Sequence, residues 1–64
     1  MNVGKNIRKL RLEHDMSMRD LANKIGTTDS AVCRWENGKA KKLSLDMAIK
    51  IADLFRISLD ELVR

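Results

Sequence analysis

Residues 18–38, MRDLANKIGTTDSAVCRWENG, carry two stretches of helical periodicity separated by a sharp break. Leu21, Ala22 and Ile25 fall on one helical stripe, Val32, Trp35 and Glu36 on another, and Gly26, Thr27 and Thr28 interrupt the pattern between them. The segment predicts two short helices that share one apolar seam and bend at Gly26, where glycine's tolerance of a left-handed backbone suits a helix end. With Val32, Trp35 and Glu36 turned inward, Asp29, Ser30, Cys33, Arg34 and Asn37 point the other way.

The remainder of the chain has little material with which to cover that seam. At 64 residues it is near the lower limit for a domain that folds on a hydrophobic core without metal or disulfides, so one domain over residues 1–64 is expected and a large substrate cavity is not. Trp35 and Phe55 are the only aromatic residues, and proline is absent, so the core must be built from Leu, Ile, Val, Ala and Met, a composition suited to packed helices. A single cysteine, Cys33, excludes an internal disulfide and a Cys-based zinc site and fits a reducing compartment. Thirteen Lys and Arg against nine Asp and Glu give a net charge of +4, which favours a polyanionic partner without deciding the function. No run approaches the roughly 20 apolar residues of a membrane span. The N-terminal MNVGKNIRKLRLEHD lacks the apolar centre and cleavage site of a signal peptide, so a cytoplasmic protein with no membrane contact is expected.

Val3, Ile7, Leu10 and His14 follow helical spacing with Lys5, Arg8 and Lys9 between them, predicting an amphipathic first helix over about 3–14 with a basic outer face. Ser17 and Asp20 resemble a capping box with Asp in place of Glu, opening a second helix over 18–25. Thr28 is the expected N-cap of a third helix over 29–37, where Asp29 sits near the positive end of the helix dipole and Asn37-Gly38 ends the run. KAKK (39–42) reads as a basic linker. Ser44 can cap a fourth helix containing Leu45, Ala48, Ile49, Ala52 and Phe55, which would supply much of the core. Ser58 and Glu61 form a capping box for a short last helix with Leu59 and Leu62 facing inward. The fold class is all-α, a compact five-helix bundle; no repeat, low-complexity tract or sustained strand alternation competes.

IRKLR (7–11), SMRDLANKIGTT (17–28), RWENGK (34–39) and IADLFRISLDEL (51–62) stand in the order and spacing of the lambda repressor-like helix-turn-helix family, also called the Cro or XRE type, which the chain resembles over nearly its whole length. The resemblance implies a five-helix domain that binds operator DNA, commonly as a dimer on paired half-sites, and a role as a transcriptional regulator, a repressor first and an activator as the alternative. It implies that Asp29, Ser30 and Arg34 meet base edges while Thr28, Asn37 and Lys39 lie nearer the DNA backbone, and that Arg11 and Glu36 form a structural ion pair between the first and third helices. Two features depart from the pattern. Met18 stands where many members carry a glutamine that bonds a phosphate, and a lysine-rich KAKKLS stands where many have a proline.

The chemistry of these residues is consistent with such roles and leaves plainer ones open. Arg34 carries a planar fork that can bond guanine O6 and N7 together, worth about 1–3 kcal/mol of discrimination, or it is a solvated surface arginine. Asp29 can accept from a cytosine amino group, orient Arg34, or only stabilise the helix start. Thr28 and Ser30 can donate to phosphate oxygens or serve as caps. Asn23, on the outer face of the second helix, is a further candidate for phosphate contact. Lys39, Lys41 and Lys42 can add sequence-independent attraction, each phosphate contact contributing about −0.9 to the slope of log affinity against log salt, or form a solubilising loop. Trp35 belongs to the core rather than to base stacking, Cys33 is a small tolerated residue, and His14 alone builds neither a metal site nor a relay. The sequence holds no nucleophile–base pair, phosphate loop or metal-ligand cluster, so neither an enzyme nor a cofactor is expected.

The expected partners are double-stranded DNA and a second copy of the chain. One short helix offers little contact for discrimination, whereas two half-sites about 34 Å apart place both recognition helices on one face of the duplex. Leu54, Ile57, Leu59, Leu62 and Val63 include more apolar side chains than a tiny core consumes and are the candidate dimer interface. The alternative is a protein-interaction module, such as the antitoxin partner of a toxin–antitoxin pair, that uses the same fold to hold a small protein.

Overall fold

Three serines and one threonine start four helices of this chain. The computed structural model describes residues 2–39 and 43–64, and among these it forms α1 (Val3–Glu13), α2 (Met18–Ile25), α3 (Asp29–Arg34), α4 (Leu45–Phe55) and α5 (Leu59–Val63), with no strand. Ser17 Oγ accepts from the Asp20 N–H at 3.0 Å while the Ser17 N–H donates to Asp20 Oδ2 at 2.9 Å. Ser58 and Glu61 repeat the reciprocal box at 3.0 and 3.1 Å. Thr28 Oγ1 accepts from Ala31 N–H at 3.2 Å and Ser44 Oγ from Met47 N–H at 3.1 Å. Such caps contribute about 1 kcal/mol each, which matters to a domain this small.

The core draws its fully enclosed large side chains from every helix: Ile7 from α1, Leu21 from α2, Val32 from α3, Ile51 from α4 and Leu62 from α5. Trp35 and Phe55 are buried beside them. Met16 and Met18 pack against the rim of this cluster. Asn6 Nδ2 donates to the Leu62 carbonyl at 2.8 Å, tying the last helix back to the first. Leu62 therefore belongs to the core and has no surface to offer a second copy; Leu54, Ile57, Leu59 and Val63 are half-buried.

Three local expectations need revision. The first helix ends at Glu13, with His14 outside it. The third is regular only to Arg34; Trp35 keeps helical angles, and Trp35–Lys39 then opens into a wide turn because Asn37 leaves helical geometry (φ −93, ψ 22) and Gly38 turns left-handed (φ 89). The buried face of α4 is Ala48, Ile51, Ala52 and Phe55, so Leu45 and Ile49, expected in the core, are 66% and 42% exposed. That helix is apolar on most of its circumference, and packing against α2 and α5 selects the stripe through Ile51. Among the described residues no helix is long and apolar enough to cross a membrane.

Candidate nucleic-acid interface

The angle of α3 is set from behind. Arg11, near the end of α1, is 7% exposed and points into the space beneath the α3 turn. Its Nε donates to Glu36 Oε2 at 2.8 Å and its Nη2 to Glu36 Oε1 at 3.0 Å, a bidentate fork that matches guanidinium and carboxylate geometry. Its Nη1 donates to the Met16 carbonyl at 2.8 Å, and the Glu36 side chain is 2% exposed. One guanidinium thus joins the end of α1, the α1–α2 turn and the segment that follows α3. The hydrogen bonds it donates to Glu36 raise the Arg11 pKa above its ordinary value, against the opposing effect of burial.

Gly4 makes a second contact with the same segment. A Cβ at this position would run into the backbone carbonyl of Trp35, so α1 approaches the turn as closely as it does only because residue 4 lacks a side chain. No expectation from the sequence involves Gly4. A glycine inside a helical pattern that neither ends nor bends the helix was the available sign of a close backbone approach.

In front, α3 presents polar side chains. Asp29, Ser30, Arg34 and Asn37 are exposed and Cys33 is half-exposed, with Asn37 Nδ2 donating to Cys33 Sγ at 3.2 Å. At 100° per residue, Asp29, Ser30, Cys33 and Arg34 span an arc of about 140° opposite the buried Ala31, Val32 and Trp35. Arg34 makes no hydrogen bond or ion pair with another described residue. The Thr28 hydroxyl is used as a cap acceptor and keeps its own proton to donate. Lys39 is exposed at the end of the turn, and Lys5 of α1 shares a shallow depression with Asn37 and Gly38, adding charge beside this face. Lys41 and Lys42 lie outside the described residues.

Two candidate positions are arranged differently. Asn23 is exposed on α2 but shares its depression with His14, Asp15, Asp20 and Lys24 rather than with the α3 face. Met18 is half-buried against the core, so the first position of α2 serves packing. The next residue was not anticipated: Arg19 Nη2 lies 3.5 Å from Asp29 Oδ2, an ion pair across the bend between α2 and α3. His14 stacks at a tilt against Phe55 with ring centroids 4.9 Å apart. Among the described residues no group of three or more His, Cys, Asp and Glu could hold a metal ion.

Comparison with known proteins places this arrangement in a family. Residues 7–62 match a family model described as helix-turn-helix. Antitoxin PezA of Streptococcus pneumoniae is 31% identical over 61 residues, a match covering 95% of this chain and 38% of that protein. Among solved structures, hydroxypropylphosphonic acid epoxidase from S. wedmorenis superposes with a TM-score of 0.85 at 28% identity, over 95% of this chain and 32% of that one. The iron(II) form of HppE in complex with substrate gives 0.84 at the same identity, over 34% of its length. The chain thus spans well under half the length of these relatives. The family match runs from α1 into α5 and contains the whole α2–α3 unit, and on that ground the chain belongs to the Cro/C1-type helix-turn-helix family, a family of DNA-binding regulators rather than of enzymes.

Proposed function

We propose that this chain, as one domain over residues 1–64, is a sequence-specific repressor that occupies a palindromic operator as a homodimer in the cytoplasm. The observation that carries the reading is the pairing of an exposed polar arc on α3 with a buried Arg11–Glu36 fork that fixes its angle. In this reading α3 enters the major groove, Arg34 bonds guanine O6 and N7, and Asp29 and Ser30 meet neighbouring base edges. Thr28, Asn37 and Lys39 lie along the phosphates, Asn23 and the linker lysines Lys41 and Lys42 contribute outer backbone contacts, and the positive net charge draws the protein to the duplex.

The scale of the molecule is compatible with the homodimer in this reading. The molecule measures 24 × 22 × 19 Å, which leaves a second copy room to sit one helical turn, about 34 Å, along the same face of DNA. The half-buried Leu54, Ile57, Leu59 and Val63 are the surface proposed to meet across the two-fold axis, with Leu62 behind them as core. The test is selection of binding sites from random duplexes at two salt concentrations, repeated with Arg34→Ala. The expected result is a palindrome whose specificity relaxes at one base pair per half-site in the variant; an absence of enrichment overturns the reading.

The 31% identity to an antitoxin favours a second reading, in which the same fold holds a small partner protein. A stoichiometric complex with a small protein from the native cells, together with no selected duplex, is the result that would replace the first reading by the second.

A further inference from the structure

We infer that Arg19 is a DNA-contacting residue that ties Asp29 to the phosphate backbone, and that Asp29 held in this way selects a base bearing an amino group. The inference rests on the DNA-binding reading above and adds to it a residue and a division of labour. Asp29 stands at the outward start of α3, where a carboxylate entering a groove is repelled by phosphates on both sides. Its nearest opposite charge comes from another helix: Arg19, in the first turn of α2, brings Nη2 to 3.5 Å from Asp29 Oδ2. The contact reaches from α2 to α3 across the Gly26–Thr28 bend, with Gly26 in the left-handed conformation (φ 78).

The pair is built to be shared. Its side chains are 77% and 48% exposed and only one guanidinium nitrogen engages the carboxylate, so the other N–H groups of Arg19 have no partner among the described residues. A guanidinium has five donors in a rigid plane and can hold a carboxylate on one side and a phosphate on the other; an ammonium is a point charge without that fork. The side chain of Met18, immediately before it, packs against the core and carries no hydrogen-bond donor for a phosphate. Arg19 therefore supplies a backbone contact at the start of α2. It also neutralises Asp29 while leaving a carboxylate oxygen to accept from a base. A carboxylate can only accept, so at the base pair it faces it selects an amino donor, cytosine N4 before other edges.

The test uses the duplex selected by the wild-type protein and compares Arg19→Ala, Arg19→Lys and Asp29→Asn in salt titrations and in repeated selections. Arg19→Ala is expected to flatten the log affinity–log salt slope by about 0.9, equivalent to about a fivefold loss of affinity near 0.15 M salt, and to relax preference at the base pair read by Asp29. Arg19→Lys is expected to restore the slope and not the preference, because an ammonium replaces the charge without the two-sided fork. Asp29→Asn is expected to keep the slope within a few tenths and to move that base pair towards A·T, since an amide bonds adenine N6 and N7. Wild-type enrichment combined with an unchanged slope in Arg19→Ala, or an unchanged base preference in Asp29→Asn, overturns this inference alone. A wild-type protein that enriches no duplex overturns the DNA reading together with it.

Discussion

Two arginine–carboxylate pairs attach α3 and its turn to the rest of the molecule, and they share a chemistry but not an environment. Arg11 and Glu36 meet in the interior as a fork with contacts of 2.8 and 3.0 Å, and Arg11 has its third nitrogen on a backbone carbonyl. Arg19 and Asp29 meet at the surface through one contact of 3.5 Å. The buried pair has exchanged its water for protein donors and acceptors, and neither side chain leaves a buried polar atom unpaired among the described residues. It fixes the direction of α3 more than it adds net stability, because two desolvated charges recover little beyond their own desolvation cost. The surface pair pays almost no desolvation and gains almost nothing, so it can exchange one partner for a ligand. The unit of α3 and its turn is thus held firmly at its C-terminal end, in the interior, and loosely at its N-terminal end, at the surface.

Truncation of the two arginines is the largest test of that contrast. Arg11→Ala leaves Glu36 as an uncompensated buried charge and is expected to cost about 3–5 kcal/mol. The whole stability of a domain this size is roughly 3–10 kcal/mol, so the variant should be largely unfolded or melt far below the wild type and should lose DNA affinity with it. Arg19→Ala is expected to shift stability by less than about 1 kcal/mol, a shift that shrinks further as salt is raised. Urea unfolding of both variants checks this, and equal losses would abolish the distinction.

Gly4→Ala probes the same segment from the backbone side, with a smaller effect. Alanine is the better helix former by about 1 kcal/mol, so propensity alone predicts stabilisation. Its Cβ, however, meets the Trp35 carbonyl and lies close to the Glu36 Cα, atoms that cannot swing aside as a flexible side chain can. The expected outcome is a net loss of about 1–3 kcal/mol. A double-mutant cycle with Glu36→Gln should be non-additive, because displacing α1 also moves Arg11 off its partner. A stabilised Gly4→Ala would mean that α1 yields freely and that the buried pair does not depend on its position.

What could be read from sequence follows the range of the interactions. The caps at Ser17, Thr28, Ser44 and Ser58 are contacts between residues three apart, and the residue types announce them. The outward arc of α3 follows from Val32 and Trp35 alone, since fixing two inward positions on a helix fixes the rest. Longer-range features were hidden. The buried face of α4 could not be chosen by periodicity because Leu45, Ile49 and Ile51 are equally apolar, and only packing with α2 and α5 decides between them. The Arg19–Asp29 pair joins residues ten apart across a bend, a separation with no helical or strand period, and the role of Gly4 depends on where another segment's backbone passes.

Acid provides the smallest and most selective test. The Arg11 pKa is raised by the hydrogen bonds it donates to Glu36, and a raised folded-state value means a contribution fully present below the ordinary arginine value and lost only in strong alkali. Asp20 behaves oppositely. The Ser17 N–H donates to its carboxylate and holds it below the ordinary 3.8, so its contribution is present above that value and is lost as pH falls from there through the lower folded-state value. Asp20→Asn keeps an oxygen to accept from Ser17 but cannot titrate. From about pH 5 to about pH 3 the melting temperature of the wild type should fall more than that of Asp20→Asn, with the curves converging at the acid end. Curves that stay parallel would mean that the Ser17–Asp20 box contributes nothing to the acid sensitivity of the fold.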